Sequence, residues 1–344
     1  MLSALDSFFV VKSKKGGKDL NSIFKYTENN CEVIITGLQE DVSDTSIVIP
    51  ETIDGMPVTA IGPRAFEFAS IKDIKIGKNI KEIGEKAFYK CEKLSAVTWN
   101  HKCDVIPDFC FFGCSNLMQF DFSGIKKIGG RAFYGSGLQK ICLPENIECI
   151  SGWAFSKCKK LRSVEWNCKC DVIPVFCFLR CLDLTQFDFS GIKKIDRAAF
   201  YGSGLKEVCL PENIKCIIEG AFSRCKTLSS VKWNCKCNAI PVDCFARCSN
   251  LTQFDFSSIK KIGAHAFEDS GLTSVTLSKG TAVDQNCFAC CNDLEKIEWL
   301  SDRSIEGDIF EECKNIKEIF ISDQVKSIEK TAFRSSPGAE ITFV

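Results

Sequence analysis

The sequence predicts a repeat solenoid: stacked coils with a parallel β-sheet on one face and short helical, 3-10 or irregular turns on the opposite wall. Three observations carry this reading. An Ala-Phe or Cys-Phe pair, often followed by Cys after two further residues, recurs about every 22 residues. Its phenylalanines fall at 66, 88, 111, 133, 155, 178, 200, 222, 245, 267, 288, 310 and 333. Between these anchors runs a Leu-x-x-Val-x-Trp alternation of period two, as in Leu94, Val97 and Trp99. A fixed period in this range marks a solenoid, where each coil buries its apolar side only against its neighbours.

The N-terminal segment, residues 1–30, reads as a tail or short helix, with Lys-Lys-Gly-Gly at 14–17. Residues 31–70 read as a cap and first turn. Val33–Ile35 and Ile47–Ile49 are capping strands, since an uncovered terminal coil would expose core, and Thr52–Val58 turns into the first phenylalanine unit. Residues 71–340 are the repeats, in units of 21–23 residues. Within each unit the Val-x-Trp alternation suits a half-buried strand. The Ala-Phe-x-x-Cys-x-x-Leu segment spaces apolar residues three and four apart, which suits one helical turn. A longer period is superposed. Residues 94–160, 161–227 and 228–271 are successive copies of a 67-residue block, the third diverging before its end. The 21-residue units carry Gly-Ser-Gly (135–137, 202–204), read as tight turns. Residues 341–344 read as a closing strand.

The entry segment Ile49-Pro-Glu-Thr-Ile-Asp-Gly-Met-Pro-Val-Thr-Ala-Ile-Gly-Pro-Arg-Ala-Phe66 and the units 71–93 and 138–160 resemble BspA-type leucine-rich repeat proteins over about residues 31–340. That resemblance implies a leucine-rich-repeat horseshoe. It also implies a non-enzymatic recognition or adhesion role, since relatives are largely surface or secreted proteins that bind host proteins or other cells.

Twenty-three cysteines sort by phase. Eight lie three residues after the phenylalanine and four immediately before it. Cys103, Cys170 and Cys237 take a slot filled elsewhere by isoleucine. These read as inward thiols packing as small hydrophobes. Cys142, Cys149, Cys168, Cys209, Cys216, Cys235 and Cys290 read as outward. Two other readings meet objections. Disulfides between stacked cysteines such as Cys91 and Cys114 require side chains that point the same way to adopt a dihedral near 90°. A thiolate metal site at Cys91, Cys103, Cys110 and Cys114 uses slots that alternate with Ala, Ile and Ser in other units. No metal or cofactor is expected. Cys168-Lys-Cys170 and Cys235-Lys-Cys237 each combine one outward with one inward residue, so no redox motif is read there.

Lys+Arg and Asp+Glu both number 44, which argues against a general nucleic-acid binder. No apolar run approaches the roughly 18 residues needed to span a bilayer. The only histidines are His101 and His265, and no serine-hydrolase, zinc-protease or phosphate-loop motif appears, so no enzyme is expected. Met1–Val11 lacks the pattern of a secretory signal. That lack and the thiol content point to the cytoplasm, whereas the resemblance implies the cell surface.

The expected function is protein recognition through the sheet face, with an intracellular structural scaffold as the alternative and a cysteine-rich metal or redox protein behind both. The outward columns of the strands are expected to form one continuous surface with an acidic bias. The binding residues expected there are Gln119, Asp121, Glu165, Gln186, Asp188, Glu207, Gln253 and Asp255. The partner is expected to be a protein.

Overall fold

The computed structural model describes residues 23–39, 42, 45–99 and 102–344. His101 and residues 1–22 of the expected tail lie outside that set. The chain divides into two compact units, residues 1–158 and 159–344.

In the first unit Phe24–Asn29 and Glu32–Leu38 form an antiparallel hairpin, so this part of the N-terminal segment is strand. Glu32–Leu38 then pairs in parallel with Met56–Ile61, which pairs with Glu82–Ile83. Thr45–Val48, Ile71–Lys75 and Ala96–Thr98 make a second parallel ladder. Val105–Ile106, Lys127–Ile128 and Cys149–Ile150 make a third, only two residues wide. In the second unit the wide ladders are Glu207–Leu210 with Ser230–Trp233, and the run Ser274–Leu277, Lys296–Trp299, Glu318–Ile321, Glu340–Phe343. Its narrow ladders run through Val172–Ile173, Lys194–Ile195 and Cys216–Ile217, and through Ala239–Ile240, Lys261–Ile262 and Ala282–Val283. Each residue opposes its repeat equivalent, as a period-two pattern with one buried face requires.

The phenylalanine anchors stack inside each unit. Ring centroids of Phe66, Phe88, Phe111, Phe133 and Phe155 follow one another at 5.2–5.7 Å with interplanar angles of 20° or less. Phe178 to Phe333 in the second unit stack at 5.4–5.7 Å. All but Phe333 are buried. Burying each such ring contributes on the order of 2 kcal/mol.

On the opposite wall the structure takes the irregular-turn alternative of the sequence reading. No α-helix occurs among the described residues, and this wall consists of successive turns. The residues two before and two after the phenylalanine sit in the left-handed region: Lys86 (φ 60°) and Lys90 (54°) around Phe88, Gly220 (65°) and Arg224 (59°) around Phe222. A helix needs consecutive right-handed residues, so this alternation excludes one. It sends alternate amides in two directions. Lys86, Phe88 and Lys90 N–H donate to the next coil at Asp108, Cys110 and Phe112 O (3.1, 3.0 and 2.6 Å). Ala87, Tyr89 and Cys91 N–H close turns onto the residue three back. The three-and-four apolar spacing survives, with Ile83, Ala87, Cys91 and Leu94 buried alongside Phe88.

The strand wall is also less regular than expected. The segments around Phe120, Phe187 and Phe254 are not strands, so the wide ladders are interrupted once per 67-residue block. In each, a phenyl ring takes the slot that neighbouring coils fill with Val or Ile. Phe120 wedges against Phe111 (5.4 Å), Phe133 (5.2 Å) and Phe122 (5.0 Å). Phe187 and Phe254 repeat this against Phe200 and Phe267, each at 5.2 Å. A ring that large lifts the backbone out of ladder register.

Candidate functional site

All eight expected face residues are exposed on the strand wall of their own unit. The structure gathers six of them into three equivalent notches at the ladder interruptions: Gln119 with Asp121, Gln186 with Asp188, Gln253 with Asp255. In each notch the backbone groups of the Gln-Phe-Asp tripeptide join no neighbouring coil. The three glutamine amides have no hydrogen-bond partner among the described residues.

The aspartates are partly committed. Asp121, Asp188 and Asp255 each accept a backbone N–H two residues on, from Ser123, Ser190 and Ser257, at 2.9 Å. The Ser257 N–H holds the Asp255 carboxyl below the usual carboxylate range. One carboxylate oxygen therefore fixes the turn into the next narrow strand, and the Ser257 side chain also bonds the Asp255 carboxyl. Glu207 instead pairs with Lys232 at 3.1 Å, which lowers its pKa. Glu165 lies on Ser163–Trp166, outside any notch. The expected continuous acidic surface is thus replaced by discrete polar notches. Exposed lysines are paired in the same way: Lys126 meets Asp104 at 3.0 Å, Lys193 meets Asp171 at 2.8 Å and Lys261 meets Asp284 at 3.1 Å.

A second surface, absent from the sequence reading, lies on the turn wall of the first unit. Tyr89, Phe112 and Tyr134 stack at 4.8 and 4.6 Å. Lys157 sits over Tyr134 at 5.0 Å, and Arg131 lies between Phe109 (5.4 Å) and Trp153 (4.9 Å). Reading the positions two before, one beyond and two beyond each buried phenylalanine as columns exposes this pattern.

No disulfide links any of the 23 cysteines. The cysteines lying three residues after the phenylalanine share one structural purpose: Cys91, Cys114, Cys158, Cys225, Cys248, Cys291 and Cys313 donate S–H to the phenylalanine carbonyl of the preceding coil at 2.9–3.3 Å. Burial pushes Cys91 and Cys158 up to about 12. Ser136, Ser203, Ser270 and Ser336 take the same slot in other coils and are buried. Three orientations are corrected. Cys235 is buried rather than outward, and Cys170 and Cys237 are half-buried rather than inward. In each block the Trp Nε1–H donates to the carbonyl four residues on, Trp166 to Cys170 O (2.8 Å) and Trp233 to Cys237 O (2.7 Å), as Trp99 does to the buried Cys103 (2.8 Å). The chain bends back at 168–169 and 235–236, so both cysteines of each Cys-Lys-Cys share one side. Among the described residues no three His, Cys, Asp or Glu side chains gather as a metal site, and no helix is long and apolar enough to cross a membrane.

The sequence pattern of the BspA type leucine rich repeat region, six copies, matches residues 39–162, 121–228, 171–295 and 281–344. No curated protein matches the chain. Among solved structures, a leucine-rich repeat protein from Bacteroides ovatus is 21% identical, with 96% of this chain and 100% of that chain covered at a TM-score of 0.63. A leucine rich cell surface protein from Faecalibacterium prausnitzii is also 21% identical, covering 97% and 96% at a TM-score of 0.54. At these identities the likeness is one of fold. Repeats of this kind are in general scaffolds of a protein-binding or adhesion type. With its pattern matched from residue 39 to the C-terminus, this chain belongs to the BspA-type leucine-rich repeat family.

Proposed function

We propose that the chain is a non-enzymatic protein-recognition or adhesion scaffold that binds an extended polypeptide along its strand wall. The notches carry this reading. Among the described residues each offers unladdered backbone N–H and C=O groups beside an unpartnered glutamine amide and an exposed aspartate. Main-chain groups give affinity to an extended peptide and flanking side chains give selectivity. In the second unit the Gln186/Asp188 and Gln253/Asp255 notches are three coils apart, roughly 14 Å at the parallel-strand spacing. One extended segment of four or five residues spans that distance.

The test compares wild-type chain with a variant carrying Gln186→Ala, Asp188→Asn, Gln253→Ala and Asp255→Asn. Asparagine keeps the turn-holding acceptor and removes the charge. Both proteins are immobilised, exposed to the same protein mixture, and the captured proteins are quantified by mass spectrometry. A captured set that falls at least tenfold on the variant at equal melting temperature supports the reading. Capture that is unchanged moves recognition to another surface, the aromatic and cationic turn wall of the first unit being the next to mutate.

A further inference from the structure

The Cys-Lys-Cys segments have no part in recognition, yet the structure builds them alike. In each, the tryptophan Nε1–H bond to the second cysteine's carbonyl folds the chain back at the intervening lysine. The two thiols lie two residues apart across this bend, close enough that each shifts the other's pKa, Cys168 and Cys235 downward and Cys170 and Cys237 upward. Cys237 Sγ also lies 3.7 Å from the Ile214 carbonyl. Lys169 and Lys236 stand exposed between the paired thiols. The thiols that donate to phenylalanine carbonyls are sealed in the core, whereas Cys168, Cys170 and Cys237 are half-buried and reachable. The first 67-residue block has His101 where the others have the first cysteine, so its Cys103 has no vicinal thiol.

We propose that Cys168/Cys170 and Cys235/Cys237 are dithiol sites that are oxidised reversibly by small anionic disulfides of the oxidised-glutathione class. The Cys168 thiolate attacks one sulfur of the disulfide, forming a mixed disulfide. The first thiolate leaves and takes up the proton Cys168 released. Cys170, deprotonated by solvent, then attacks Cys168 Sγ. The Cys168–Cys170 bond forms and the second thiolate leaves and is protonated. Two electrons and two protons pass from the dithiol to the disulfide, giving one protein disulfide and two small thiols. Cys168 attacks first because the Cys170 S–H stabilises its thiolate, a preference matched by its lowered pKa. The exposed lysine favours an anionic disulfide over a neutral one. Cys235 is nearly covered, so its pair reacts more slowly than the Cys168 pair.

The full chain is incubated with oxidised glutathione under native conditions, remaining thiols are alkylated, and peptides are mapped by mass spectrometry. The expected result is loss of two hydrogens across 168–170, then across 235–237, reversed by reduced glutathione, while Cys103 and Cys177 stay alkylatable. In Cys170→Ser, glutathione accumulates as a mixed disulfide on Cys168. The proposal is overturned if Cys168 and Cys170 are both still thiols when the exposed Cys149 is fully glutathionylated. It is equally overturned if wild type stops at the mixed disulfide on Cys168. Wild type alone decides the question if the variant does not fold.

Discussion

At the scale of single residues, two side chains decide how a coil closes. The phenylalanine fills the space between coils, and a cysteine three positions later donates its S–H to the carbonyl of the phenylalanine below, whereas Ser136, Ser203 and Ser270 in that slot meet a cysteine sulfur of the next coil. Their energies differ in kind. Phe222→Ala leaves a ring-sized void and is expected to cost roughly 3–5 kcal/mol. Cys248→Ser keeps a small buried donor for the Phe222 carbonyl, 3.3 Å away, and is expected to cost within about 1 kcal/mol. Denaturant unfolding of both variants checks this, and a serine variant as damaged as the alanine one contradicts the assigned purpose. The buried thiols also set an alkaline limit. Burial raises Cys91 and Cys158 from 9.0 to about 12, so the folded chain holds protons that the unfolded chain releases. Their contribution is complete below pH 9 and is lost as pH rises from 9 towards 12. The melting temperature should therefore fall across that window, and less steeply in Cys158→Ser. The cysteine phases were legible in the sequence because Ala, Ile and Ser replace them in register. The orientation of Cys170, Cys235 and Cys237 was not, since it depends on the backbone bends at 168–169 and 235–236 rather than on the apolar period.

At the scale of the element, the strands followed from alternation and the turn wall did not. Apolar residues three and four apart mean a helix only when the residues between them are right-handed. Here the phases two before and two after the phenylalanine are left-handed, and the available signal was glycine at 113, 135, 202 and 220. Arg180 occupies the same phase at φ 55° and is exposed. In a helix glycine would be less stable than alanine by roughly 0.5–1 kcal/mol. In a left-handed position the order reverses, because the Cβ penalty is roughly 1–2 kcal/mol. Arg180→Gly is therefore expected to melt above Arg180→Ala, and the opposite order would indicate a helical wall. Gly204, read as a tight-turn residue, has a different reason. A methyl there would overlap the Leu182 carbonyl, so Gly204→Ala should cost roughly 1–3 kcal/mol, measured by the same unfolding curves.

Across the whole molecule, the 67-residue period does more than lengthen the stack. It places one Phe-Asp-Phe coil in each block, and that coil opens the strand wall. The outward columns were legible from the alternation, including the eight residues expected to bind. Their grouping into notches was not, because it depends on a phenyl ring lifting the backbone, and ladder hydrogen bonds leave no mark in a side-chain pattern. Recognition is consequently assigned to gaps in the sheet rather than to a continuous acidic field. Hydrogen–deuterium exchange on the intact chain tests this most directly. Amides of Phe88, Phe111, Phe222 and Phe245, bonded to the next coil, should be strongly protected, as should Val208–Leu210 and Val231–Trp233. Amides of Gln186–Asp188 and Gln253–Asp255 should exchange at nearly the rate of unfolded chain. Equal protection through those tripeptides and their flanking strands would contradict the notches, and rapid exchange at the phenylalanine amides would contradict the stacked coils.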